Sequence, residues 1–393
     1  MKFIKNNHNN TKFVDNIFVV SNKAKADNHP DTINASIGSF FSEDGKLLTY
    51  PVVFEYENKL SNIQKAAYAQ SPQGNKDFND AIIKFVLENK VNNVRCLATV
   101  GGTGAISLSI NMCLNEGDSI LVPEIAWGNY ANICKEFNLN PIEYNPYDVD
   151  DLLNKVDEMD KVFMIINSPC ENPCGCSYTY EQWKTIFDKL NSLNKEAIVL
   201  NDVAYMDYAN AKDSKRYFEL FNDLNSDVMV HMAYSCSKSF SYYGERLGAL
   251  LVINNDIETL DSFENQCARH NRTIWSSVNN GAMINVANIL NNHLDEYLKQ
   301  KNESVELLKQ RSSLFIEEAN ACGLEIYPYQ EGFFVTVKVS DNNKRDQIHQ
   351  TLMDNHIYTI KTNKGIRVGI CAVPLNKLKG LALKIKNIIS RYN

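Results

Sequence analysis

Short β-rich runs alternate with amphipathic helical stretches from residue 93 to about 253, and this alternation constrains the fold more than any other feature of the chain. The runs lie at 94–99, 119–123, 161–167, 197–201, 228–235 and 247–253, with helical patterns at 105–114 and near 127–137 between the first of them. Strands separated by helices predict a mostly parallel sheet covered on both faces, because parallel neighbours need crossover connections. After residue 256 the pattern turns to long helical periodicity through roughly 320, and strands follow at 333–339, 358–362 and 366–370. The expected fold class is therefore α/β: a large domain with a mostly parallel sheet between helices, plus a smaller α+β domain. Segment 1–53 reads as extended, with a turn at Glu43, Asp44 and Gly45, and is expected to pack with the small domain. Residues 54–270 are expected to form the large domain, and 271–393 an interdomain helix and the small C-terminal domain. A chain of 393 residues is long enough for this division.

The charge balance narrows the class. Charged residues make up 22% of the chain and the formal net charge is -7, with no block of Lys or Arg, so a nucleic-acid partner is not expected. The Asn- and Lys-rich opening, residues 1–15, has no apolar core of signal-peptide length, and no later run reaches membrane-spanning length. The expected location is the cytoplasm. Ten cysteines are scattered, mostly in apolar runs, which predicts reduced buried thiols. Cys170, Cys174 and Cys176 cluster, but without a CxxC pair or a nearby His, so no metal is expected there.

The chemistry concentrates in Ser235-Cys236-Ser237-Lys238-Ser239, followed eight positions after the lysine by Arg246. A lysine amine forms a Schiff base with an aldehyde, and serine hydroxyls with a guanidinium make a phosphate clamp. An aldehyde that carries a phosphate is pyridoxal 5′-phosphate. Alone, the run also suits an ordinary solvated lysine.

Other groups extend the pattern. Gly101, Gly102, Thr103 and Gly104 follow a strand and open a helix, which presents free N–H groups to an anion or simply makes a turn and cap. Asp202 stands at a strand end, where ligands of parallel sheets bind. It can hold a pyridine nitrogen protonated or cap the next turn, and Tyr205 can donate to a ring oxygen. Asn172 lies in a loop stiffened by Pro169 and Pro173, with its amide available to a ring oxygen or to substrate. Trp127 either stacks on a planar ring or packs in the core. Arg367 sits mid-strand, where a charge calls for a carboxylate partner, either the substrate's or a structural one.

Together these motifs resemble the class I/II aminotransferases, of the fold-type-I pyridoxal-phosphate enzymes, over nearly the whole chain. Ser-x-Ser-Lys with Arg246 resembles that family's Schiff-base lysine and phosphate-binding arginine. Asp202-Val203-Ala204-Tyr205 is similar to its Asp-x-x-Tyr, and the interval of 36 residues from Asp202 to Lys238 is close to the family's. Asn172-Pro173-Cys174-Gly175 resembles its Asn-Pro-Thr-Gly, with Cys174 in place of Thr.

Finer features resemble the aspartate/aromatic branch. Asn34 to Gly38, with Glu43 to Lys46, is similar to that branch's substrate-covering segment. Arg272 matches the place of a neighbouring-subunit arginine that meets a substrate side-chain carboxylate. Tyr68 resembles the partner-subunit tyrosine that touches the phosphate, with a spacing to Gly74 one residue longer than usual. Trp275 stands where tyrosine is common, and the usual Pro-Pro after the serines is missing.

The resemblance implies a homodimer and a ping-pong transamination with aspartate or an aromatic amino acid as donor and 2-oxoglutarate as acceptor. Lys238 would be the catalytic residue. Gly102, Thr103, Trp127, Asn172, Asp202, Tyr205, Ser235, Ser237, Arg246 and Tyr68 would bind the cofactor. Gly38, Asn172, Arg272 and Arg367 would bind substrate. The rivals are a lyase or decarboxylase on the same scaffold, or a ligand-binding homologue without activity.

Overall fold

The computed structural model describes residues 14–209 and 214–392, so the opening stretch discussed above lies outside the described residues up to residue 13. The N-terminal part carries α1 (Asn16–Ala26), β1 (Ile33–Asn34), α2 (Pro51–Lys59), α3 (Asn62–Ala66) and α4 (Lys76–Leu87). Seven strands then build the large sheet: β2 (Val94–Val100), β3 (Ser119–Pro123), β4 (Asn140–Tyr144), β5 (Val162–Asn167), β6 (Ala197–Asp202), β7 (Val228–Ser235) and β8 (Leu247–Ile253). Their helices are α5 (Gly101–Cys113), α6 (Asn129–Glu136), α7 (Val149–Asp157), α8 (Tyr180–Asn191) and the single turn α9 (Cys236–Ser239).

The strand order is β2-β8-β7-β6-β5-β3-β4. Strands β4, β3, β5, β6 and β7 run parallel, while β8 lies antiparallel to both of its neighbours. Period-two alternation sorts each strand's side chains into two cores. Val162, Met164 and Ile166 enter the core built with α4 and α8, and Phe163 and Ile165 enter the one built with α5. Covered on both faces, β5 and β6 are buried throughout, which is why they read as continuous apolar runs.

The rest of the chain is α10 (Ile257–Ile274), α11 (Asn280–Asn292), the long α12 (Leu294–Cys322), β9 (Phe334–Lys338), α13 (Asn342–Asp354), β10 (Ile357–Tyr358), β11 (Ile360–Lys361), β12 (Gly365–Gly369), α14 (Leu375–Leu378) and α15 (Leu381–Ile389). A second sheet has the order β11-β12-β9 and is antiparallel. One apolar cluster joins Phe333, Val335, Val337, Ile366 and Val368 to Ile33, Ala35 and Phe40, so the N-terminal segment shares its core with the C-terminal part.

Two expectations are corrected. The N-terminal segment is not extended throughout, because Asp15 caps α1 by accepting from Ile17 and Phe18 N–H, and that helix buries Val20 and Ala24. The strand expected at 358–362 is broken into β10 and β11, the first parallel to β1 and the second antiparallel to β12. The expected divisions after residues 53 and 270 fall inside α2 and α10. No helix among the described residues is long and apolar enough to cross a membrane.

Candidate functional site

A cavity of about 170 Å³ opens at the C-terminal ends of β5, β6 and β7, where a parallel sheet presents loops and helix N-termini to a ligand. Gly102, Thr103, Trp127, Asn172, Asp202, Tyr205, Ser235, Ser237, Lys238 and Arg246 all line it. Ten residues singled out in sequence, spread over 145 positions, thus meet in one place.

The anion end is built around close backbone approach. Arg246 Nη1 donates to Ser237 Oγ at 3.1 Å. Gly101 has φ +68°, and a Cβ there would sit 2.5 Å from Arg246 Nη2. A Cβ on Gly102 would lie 3.0 Å from the Ser235 Cβ. These glycines therefore let the start of α5 close onto the serine and arginine pair. The first N–H groups of α5, two hydroxyls and a guanidinium converge, which is donor chemistry suited to a phosphate.

Asp202 closes the other side. It ends β6 and is buried; its Oδ2 accepts from Tyr130 OH at 2.6 Å and its Oδ1 from Ala204 N–H at 3.1 Å. Burial pushes this carboxyl up, while the Tyr130 and Ala204 bonds and the nearby Lys238 pull it back down. A buried carboxylate facing a cavity suits a cationic ring nitrogen.

Lys238 lies in the turn α9, with Nζ donating to Gly38 O at 2.7 Å. Burial lowers its pKa to about 8; Arg367 and Arg246 push the same way, against Cys371 and Asp202. The amine is thus unusually easy to deprotonate, as a nucleophile and proton carrier requires. Its Nζ lies 5.6 Å from the Tyr205 ring centroid and 4.8 Å from that of Tyr243.

Of the two carboxylate partners open to mid-strand Arg367, the structural one is absent from its hydrogen-bond partners among the described residues. Its Nη1 donates to Asn172 Oδ1 at 3.1 Å and its Nη2 to Ser36 O at 2.9 Å, while the guanidinium lies 4.2 Å from the Phe334 ring centroid. The Nε is buried without a hydrogen-bond partner. A buried guanidinium with a donor unmet is poised for a ligand carboxylate. Gly38 approaches from the N-terminal segment, where a Cβ would sit 3.1 Å from Phe334 Cζ and 3.8 Å from Tyr205 OH.

Tyr68 and Arg272 do not line the cavity; both are exposed, and Arg272 Nη1 donates to Ser276 Oγ at 2.8 Å. Cys170 and Cys174 are buried beside Asn172 and Cys176 is half-buried, all as free thiols. Among the described residues no group of three or more His, Cys, Asp and Glu is placed to hold a metal.

Sequence reasoning missed Tyr130, Tyr243 and Asn167. Tyr130 follows Trp127 by three residues across the turn that leads into α6: its N–H donates to Trp127 O at 3.0 Å, and the two ring centroids lie 5.5 Å apart. Tyr243 lies between Lys238 and Arg246 in sequence, and its hydroxyl accepts from Phe40 N–H at 2.9 Å. Asn167 Nδ2 donates to Asp202 O at 2.7 Å and its Oδ1 accepts from Asn172 N–H at 2.8 Å, so it ties two site residues together.

The sequence profile of the family described as aminotransferase class I and II matches residues 30–385. The cytoplasmic aspartate aminotransferase of Dictyostelium discoideum is 29% identical over 278 residues, 67% of this chain and 63% of that protein. The chain thus spans less than two thirds of that relative's length. The aromatic-amino-acid aminotransferase of Escherichia coli (strain K12) is 27% identical over 302 residues, 72% of this chain and 74% of that one. Among solved structures, an aminotransferase from Anaerococcus prevotii DSM 20548 superposes with a TM-score of 0.92 at 28% identity, covering 98% of this chain and 99% of its own.

Proposed function

The chain belongs to the class I and II aminotransferases, and on that premise we propose that it moves the amino group of aspartate or an aromatic amino acid to a 2-oxo acid such as 2-oxoglutarate, in two half-reactions at one site. The observation that carries this is the meeting of Lys238, Asp202 and Arg246 around one cavity, with Arg367 bonded to Asn172 of its lining and the lysine amine eased toward its neutral form.

The cavity fits pyridoxal 5′-phosphate, the cofactor of this family, on the chemistry of its donors. That cofactor supplies an aldehyde that condenses with amines and a ring that accepts the electron pair of a substrate Cα–H bond. Gly102, Thr103, Ser235, Ser237 and Arg246 would hold its phosphate, Asp202 would keep its ring nitrogen protonated, and Asn172 and Tyr205 would bond its ring oxygen. Trp127 would cover the ring face.

The side chains then have defined tasks. Lys238 Nζ would hold the cofactor aldehyde and, when free as an amine, would carry the proton from the substrate Cα. A pKa near 8 keeps an appreciable neutral fraction for accepting that proton. Arg367 holds the substrate α-carboxylate, and Asn172 orients Arg367 through Oδ1. Gly38 and Ser36 cover the site from the N-terminal segment, which limits water access.

We take the active protein to be a cytoplasmic homodimer. Tyr68 and Arg272, both exposed in one subunit, would complete the partner's site, the first at the phosphate and the second at an acidic substrate side chain. Exposed Ile63, Tyr68 and Ile274 are apolar surface that an interface would cover. The shared cluster of Ile33, Ala35 and Phe40 with Phe333 and Val368 supports pairing of segment 1–53 with the small domain, apart from the large domain at 54–270.

The test is the visible spectrum of the purified protein. It should be yellow, should bleach with aspartate or an aromatic amino acid, and should recover with 2-oxoglutarate. Lys238→Ala should stay folded and lose turnover. A protein that stays colourless with pyridoxal 5′-phosphate, or one that releases ammonia and pyruvate without an acceptor, would sink this reading.

A further inference from the structure

Beneath the reactive lysine lies a second lysine that the reaction, as described, does not use. Lys301, on α12, is 3% exposed. Its Nζ sits 3.2 Å from the Tyr208 ring centroid and 5.7 Å from that of Tyr50, and donates to Ser239 O at 3.4 Å. Burying an ammonium among rings is costly, and an apolar side chain would serve packing better.

What Lys301 touches is the carbonyl end of α9, the single turn that carries Lys238. A turn this short leaves its last carbonyls to be satisfied from outside. Ser239 O accepts from Lys301 Nζ and from Tyr297 OH at 2.8 Å. Lys238 O accepts from Tyr208 OH at 3.2 Å, and Tyr208 OH lies 3.1 Å from Tyr50 OH. Lys301 therefore bonds one carbonyl directly and stacks against the ring whose hydroxyl bonds the other. A cation at the carbonyl end also matches the turn's dipole.

We propose that Lys301 is a positioning residue for Lys238: as an ammonium it fixes the carbonyl end of the Cys236–Ser239 turn and so sets where the reactive Nζ sits. The proposal rests on the reading of Lys238 as the amine that holds the cofactor. The groups facing Lys301 are Tyr50, Tyr208, Tyr297, Asp207 and Cys170. Burial lowers the Lys301 pKa to about 7, while Asp207 and Cys170 pull it up. The ammonium is thus present below that point and lost as pH rises through it, and the hold on the turn goes with it.

The experiment measures the dissociation constant of pyridoxal 5′-phosphate from the holoenzyme, with kcat and KM, on both sides of pH 7, in wild type, Lys301→Met and Lys301→Arg. Wild type should hold the cofactor more weakly as pH rises through about 7. Lys301→Met should bind it about tenfold more weakly below that point and show no step there, with kcat reduced and KM for the amino acid kept. Lys301→Arg, charged throughout, should move the step out of the measured range and keep the tighter binding above pH 7. The proposal is overturned if Lys301→Met keeps the wild-type step, or, should that variant not fold, if Lys301→Arg keeps its midpoint. Failure of the functional reading looks different: the wild-type protein binds the cofactor, shows the step and turns over no amino acid.

Discussion

Asp202 Oδ2 accepts a hydrogen bond from the Tyr130 hydroxyl at 2.6 Å inside a site from which both side chains are almost wholly shielded from water. Burial works against the charge on Asp202, and the tyrosine bond works for it. Tyr130 itself is pushed well above the usual phenol range by burial and by Asp202, so it stays a neutral donor. Removing that donor should raise the Asp202 pKa further. Tyr130→Phe is expected to lower kcat about tenfold or more, the scale of one hydrogen bond to a charged group. The loss of activity on acidification should also begin at higher pH, because Asp202 acts as a carboxylate. An unchanged acid limb in the pH profile of kcat would separate Tyr130 from this role.

Arg367 makes a similar argument at the substrate end. Its guanidinium keeps one donor unmet while Asn172 and Ser36 fix the others. Lysine at this position would bring a point charge without the planar fork, and it would lose the stacking on Phe334. Arg367→Lys is expected to cut kcat/KM for every amino acid donor by roughly 10- to 100-fold, mostly through KM. Cofactor binding should be nearly unaffected, and equal losses in both would place Arg367 in the structure rather than at the substrate.

Glu171, next to Asn172, gives a prediction about stability. It is buried, its Oε2 accepts from Cys174 N–H at 2.8 Å, and its Oε1 has no partner. Burial raises its pKa to about 8 although the backbone N–H groups of Cys174, Cys176 and Gly175 pull it down. The folded protein therefore binds a proton here that the unfolded chain releases near 4.5. Stability from this group is fully present below 4.5 and is lost as pH rises toward 8. Glu171→Gln keeps the acceptor and should flatten that part of the pH dependence of Tm. A Tm profile parallel to wild type between these values would show that Glu171 is not protonated in the fold.

Most of this fold and site was legible in the sequence because the groups involved are tied to local pattern. Strand ends carry Asp202 and Ser235, a helix start carries Gly102 and Thr103, and fixed spacing joins Lys238 to Arg246. What escaped was set by packing between distant segments. Nothing local distinguishes Lys301 or Tyr208 from core residues, since their partners are carbonyls of the Cys236–Ser239 turn, 62 and 30 residues away in sequence. Arg367 was identified with two alternatives open, a substrate carboxylate or a structural one, because a strand pattern cannot show that an Asn172 amide and a Ser36 carbonyl will meet it. The helix at Asn16–Ala26 was missed because its apolar residues are few and partly exposed, and its stability comes from Tyr358 and Ile360 across the small domain.

Arg272 supplies the last prediction, which turns on substrate choice. It is exposed near the end of α10, and its contact with Ser276 is a surface hydrogen bond. Replacing it should therefore cost little stability. If it reaches a substrate side chain in the partner subunit's site, a carboxylate there loses a charge-assisted partner while an aromatic ring loses little. Arg272→Gln is expected to lower kcat/KM for aspartate roughly 10- to 100-fold and to leave phenylalanine or tyrosine within a few-fold of wild type. The comparison needs only the ratio of the two specificity constants, so a general loss of folded protein cancels. Equal changes for acidic and aromatic donors would show that Arg272 does not read the side chain.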